Sequence, residues 1–211
     1  MKTSNTNVQK LVQVALLIAL QLVMKAIGLG SVPVGPLYMS FLTLPIAIGA
    51  VLIGPGAGAI LGGVFGAVSF ADAVSGRSVM TGTFFQISPI STLILCVGMR
   101  VLMGVATGFI FKAIKRFDRT HSWSYLVGCL AAPLLNTFFF MGYICLFFYR
   151  TDYITNLVET LGATNPLMFV VLLVGMQGLI EAVCCGILGT ALCKVLARFA
   201  VQDQNNSKVA A

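Results

Sequence analysis

Six long apolar stretches, at about residues 8–28, 37–54, 56–71, 88–112, 122–149 and 165–194, succeed one another through the sequence with short breaks between them. A helix rises about 1.5 Å per residue and the bilayer hydrocarbon is about 30 Å thick, so roughly 20 apolar residues reach across it. Helices are the form such stretches must take, because open strands leave backbone N–H and C=O groups unpaired in lipid. The charge supply agrees. Only 9% of residues are charged, against about 25% in soluble domains, too few to cover a surface facing water. The chain is therefore predicted to be an all-α integral membrane protein, one domain over 1–211 built as a bundle of six transmembrane helices. The second and third stretches are short, and Gly54-Pro55-Gly56 between them reads as a hairpin turn. Gln13, Gln21 and Lys25 interrupt the first stretch and no small-x-small cleavage site comes after it, so it reads as a retained helix rather than a signal. Residues 202–211 read as a flexible cytoplasmic tail.

The basic residues fix an orientation. With the N-terminus inside, Lys2, Lys10, Lys112, Lys115, Arg116, Arg119, Lys194, Arg198 and Lys208 fall on the cytoplasmic side, and Lys25, Arg77 and Arg150 on the other. That asymmetry places both termini in the cytoplasm of a cell whose plasma membrane the chain crosses several times. The net charge of +7 thus reports topology and a fit to anionic lipid heads, and no nucleic-acid partner is expected. Six cysteines (Cys96, Cys129, Cys145, Cys184, Cys185, Cys193) lie in apolar stretches, and the single histidine, His121, sits in a basic loop. They read as small packing residues, with neither a metal site nor a cofactor implied.

Polar side chains at membrane depth are the functional signal. A charge near the bilayer centre costs about 2.5–3.5 kcal/mol on insertion scales, and the chain places Arg100 and Glu181 there, with the amides of Asn136 and Gln177. Counting helical rise from the inner boundary puts all four roughly 18–25 Å up. Three separate stretches so deliver polar groups to one layer. Two readings stand: Arg100 neutralises Glu181 and the amides satisfy leftover donors, or the layer floors a pocket open to the outside. A guanidinium with amides suits a solute bearing a carboxylate and hydroxyl or amide groups. Tyr38, Phe41 and Tyr143 are candidate walls, and the loop 28–39, rich in Gly and Pro, is a candidate cover. Lys25 reads as a snorkelling side chain; Asp72 and Arg77 could latch to each other.

Small residues mark close helix contacts. Gly54, Gly58, Gly62 and Gly66 repeat every four residues, as do Gly104 and Gly108, and in lipid such stripes are packing seams. Ala15 and Ala19 form a similar strip near the start of the first helix, which serves either internal packing or a partner helix.

Ala15-x-x-x-Ala19 resembles the first-helix motif of the substrate-binding S components of energy-coupling factor (ECF) vitamin transporters. The resemblance continues through Leu42-Thr-Leu-Pro45, Ile48-Gly-Ala-Val-Leu-Ile-Gly-Pro55, the glycine ladder, Met99-Arg100-Val-Leu-Met-Gly104, Asn136-Thr137 and Gly178-Leu-Ile-Glu181. It implies a six-helix subunit that captures a vitamin from outside under a first outer loop. It also implies that Ala15 and Ala19 dock on a membrane T component, which works with two ABC-type ATPases. No Walker motif is present in the chain, so ATP hydrolysis falls to those partners. Among S components the pantothenate-type members are the most similar. A flexible anion with hydroxyls and an amide matches Arg100 and the amides better than flat rings such as folate or riboflavin, which aromatics grip by stacking. An intramembrane enzyme using Glu181 lacks a histidine, paired aspartates or a nucleophile–base spacing. A channel would repeat polar positions along one helix.

Overall fold

A computed structural model describes residues 2–30, 32–34, 37–118 and 123–198. His121, Arg119 and the tail over 202–211 lie outside the described residues. Helix α1 (Lys2–Ala26) is succeeded by Gly28 at φ 84°, a left-handed turn position that glycine adopts without strain. A small antiparallel hairpin comes next, β1 (Val32–Val34) against β2 (Leu37–Met39), with Val32 opposite Met39 and Val34 opposite Leu37. The stretch expected to be helical over 37–54 thus begins as a strand, and helix α2 covers only Thr43–Leu52. Ten residues rise about 15 Å, half of the hydrocarbon thickness. Ile46, Ala47 and Ala50 on α2 are fully buried, as fits a helix apolar on all sides and wrapped by neighbours.

Gly54, at φ 128°, turns the chain, and Pro55 opens α3 (Pro55–Val74), where its missing N–H costs nothing. A short helix α4 (Val79–Ile87) precedes three long ones: α5 (Pro89–Lys115), α6 (Trp123–Phe148) and α8 (Pro166–Arg198). Between the last two lies α7 (Asp152–Leu161), ended by Gly162 in a left-handed conformation. The sequence reading had no counterpart for α4 or α7. Among the described residues five helices, α1 from Val8, α3, α5, α6 and α8, are long and apolar enough to cross a membrane, and α2 is a shorter apolar one. Their outward faces carry exposed Leu11, Leu16, Val171, Leu179 and Ile187, the surface of a multi-pass membrane protein.

α3 packs on α5 along the glycine ladder. A methyl at Gly58 would strike the Gly104 carbonyl, one at Gly62 the Arg100 carbonyl, and one at Gly66 would come within 2.6 Å of Val97 Cα. Close backbone approach of this kind is how helices gain van der Waals contact in lipid. Each of α5, α6 and α8 also contains one π turn, at Ile94–Gly98, Ile144–Phe148 and Cys185–Gly189. Two apolar clusters result. One gathers Leu42, Ile46, Leu61, Phe65 and Met103; the other gathers Met80, Phe84, Ile144, Phe148 and Phe169, with Phe84 stacked on Phe148 at 4.2 Å.

Candidate functional site

A cavity of about 280 Å³ lies where the two clusters meet, with Phe65 from one and Met80 and Val174 from the other in its wall. Arg100 from α5, Asn136 from α6, and Gln177 and Glu181 from α8 line it together. The polar layer inferred from helical rise is thus one place in space.

Arg100 is 7% exposed. Its guanidinium carbon sits 4.3 Å from the ring centre of Phe65 and 5.1 Å from that of Phe140, so the cation meets two aromatic π clouds. Nη1 donates to the Cys96 carbonyl at 2.9 Å, four residues back on the π turn. Nε is buried with no hydrogen-bond partner among the described residues. No ion pair in direct contact joins Arg100 to Glu181 among the described residues, although both line the same cavity. Glu181 is bonded elsewhere: Oε1 accepts the backbone N–H of Ser40 at 2.7 Å, and Gln177 Nε2 lies 3.5 Å away.

At the rim, Lys25 forms an ion pair with Asp72, joining the end of α1 to the end of α3. Lys25 is thus a cavity residue rather than only a snorkelling one. Arg77 lines the same rim, and its backbone N–H donates to the Asp72 carbonyl at 3.0 Å. With Arg100, Lys25 and Arg77 against Asp72 and Glu181, the lining carries an excess of positive charge, which favours an anionic solute.

Two of the predicted walls, Tyr143 and Phe41, are not among the residues that line the cavity. Tyr143 is buried in the second cluster with its ring stacked on Phe147 at 4.4 Å. Seven residues beyond Asn136, it stands about 10 Å further along the axis. Phe41 is half-buried and does not line the cavity. Tyr38 belongs to β2, and its side chain lies outside the described set. Ala15 and Ala19 are both exposed, while Val14 and Gln21 turn inward, so internal packing does not explain the small strip. Phe65, Phe140, Met80 and Thr81 line the cavity without having been anticipated. Phe140 lies four residues after Asn136 and so shares its helix face, a signal present in the sequence. Met80 and Thr81 ride on the unforeseen α4 and had none. Among the described residues no cluster of His, Cys, Asp and Glu could hold a metal.

The family model described as ECF transporter, substrate-specific component, matches residues 9–192. The chain belongs to that family. No individually curated protein matches it. As an S component it is a substrate-binding transport subunit rather than an enzyme, and its family implies a vitamin-type small molecule, a membrane T component and ATPase partners.

Proposed function

We propose that this S component captures pantothenate from outside the cell and delivers it inward with its T component and two ABC-type ATPases. The observation that carries the reading is the Arg100 guanidinium: it lines the cavity, tied by Nη1 to the Cys96 carbonyl and, among the described residues, to no carboxylate. A planar fork of donors held this way matches a carboxylate in two-point contact. Asn136 and Gln177 supply amide partners for hydroxyl and amide groups, and Phe65, Met80 and Val174 supply apolar wall for the gem-dimethyl carbon. The rings of Phe65 and Phe140 each hold Arg100 against one side, at 4.3 Å and 5.1 Å. The volume, about 280 Å³, sits at the small end of ligand cavities, roughly 300–1,000 Å³.

The orientation rests on the positive-inside asymmetry. The end of the bundle with Lys112, Lys115, Arg116, Lys194 and Arg198 faces the cytoplasm with both termini, α2 completes six membrane-embedded helices, and the cavity opens outward beneath the hairpin. Ala15 and Ala19, exposed on α1, dock on the T component.

The test is a pantothenate titration of the purified protein and of Arg100→Ala. Removing one partner of a buried charge pair costs about 2–5 kcal/mol, or roughly 30-fold to several thousand-fold in affinity. Equal affinity in the two proteins takes Arg100 out of the site.

A further inference from the structure

Glu181 is 3% exposed and lines the cavity, yet its shortest bond runs to the backbone, to the N–H of Ser40 at 2.7 Å. Ser40 is the residue by which the chain leaves β2 and turns into α2. Other bonds converge on the same short segment. Ser40 Oγ donates to the Gly30 carbonyl at 3.0 Å, Thr43 Oγ1 donates to the Ser40 carbonyl at 3.3 Å, and Gln21 Nε2 donates to the Leu42 carbonyl at 3.3 Å. Gly30 and Ser40 are the two feet of the hairpin. They are tied to each other, and Ser40 is tied to α8, 141 residues away in the chain. A carboxylate that accepts from a backbone N–H makes a charge-assisted bond about twice as strong as a neutral one. Ser40 itself is buried, 8% exposed.

We propose that Glu181 is a positioning residue, which seats the hairpin on the cavity and sets how fast the solute enters and leaves, rather than a group that contacts the solute. This rests on the reading of the cavity as the substrate site. Lifting the hairpin breaks the Ser40–Glu181 bond, and both entry and exit pass through that raised state. Weakening the bond therefore speeds both and leaves their ratio, the Kd, nearly unchanged. Loss of a direct contact behaves differently: it speeds exit alone.

The experiment uses the full chain in lipid nanodiscs, with Glu181→Leu, Glu181→Gln, Ser40→Pro and Ser40→Ala. Hydrogen exchange over the peptide containing Ser40 needs no solute. Stopped-flow binding of labelled pantothenate gives both rate constants. Glu181→Leu is expected to expose the Ser40 amide and to raise both rates by about tenfold to a hundredfold, the loss typical of a hydrogen bond to a charged group. Glu181→Gln keeps an accepting oxygen without the charge, and is expected to fall between wild type and Glu181→Leu. Ser40→Pro removes the N–H donor together with the hydroxyl bond to Gly30, and Ser40→Ala removes the hydroxyl alone, so if Glu181→Leu fails to fold, rates faster in Ser40→Pro than in Ser40→Ala carry the proposal and equal rates overturn it. Unchanged Ser40 exchange in Glu181→Leu overturns the proposal, as does a rise confined to dissociation. If pantothenate does not bind at all, the substrate reading fails, and Ser40 exchange still decides the seat.

Discussion

Arg100 could have been met by a carboxylate of the same chain, and the alternative of an Arg100–Glu181 pair was open from sequence alone. The geometry divides the two charges, with Arg100 clasped by Phe65 and Phe140 and Glu181 committed to Ser40. Lysine has no planar face to lie between two rings and no fork to offer a carboxylate. Arg100→Lys is therefore expected to bind pantothenate almost as poorly as Arg100→Ala in the same titration, despite its retained charge. Depth was legible for these side chains, because helical rise depends only on counting residues. Partners were not. Which oxygen takes Ser40 N–H, and which ring covers Arg100, depends on elements far apart in the chain.

At the scale of elements, uniformly apolar runs hid their own divisions. Residues 37–54 lack any period that separates strand, turn and helix, and so β2 and α2 merged into one expected span. Facing was harder still. Each π turn inserts a residue and rotates the remainder of its helix by about 100° while adding only about 1.5 Å of rise, so depth survives and phase does not. The glycine ladder, by contrast, was legible, because only close backbone approach requires small residues every fourth position. Its partner was not visible until α3 met α5. Gly62→Ala drives a methyl onto the Arg100 carbonyl, whereas Gly63→Ala meets only Val101 Cγ2 at 3.6 Å, an ordinary contact. Thermal unfolding in detergent should show Gly62→Ala destabilised by about 1–3 kcal/mol. Gly63→Ala should be neutral or stabilised by roughly 0.5–1 kcal/mol through helix propensity. Equal stability of the two variants contradicts the α3–α5 seam.

The whole molecule has two ends and an unshared face. Basic residues gather at one end of the bundle, Lys25, Asp72 and Arg77 line the cavity toward the other, and α1 turns Ala15 and Ala19 outward. A flat strip exposed on a membrane helix suits a second helix at close range. Ala15→Trp is thus expected to leave pantothenate binding intact while stopping uptake into vesicles that hold the full complex. Persistent uptake assigns the strip to lipid. The membrane class and the family were legible from the apolar runs and from Ala15 to Glu181. The solute was not, because its recognition is a matter of which groups converge across three helices. The decisive comparison sets pantothenate against pantothenol, its alcohol analogue, in calorimetric titrations of the wild-type protein. With Arg100 holding the carboxylate, its loss should weaken binding by roughly 100-fold, the about 2–3 kcal/mol of a charge-assisted bond; equal affinity for the two would contradict that role.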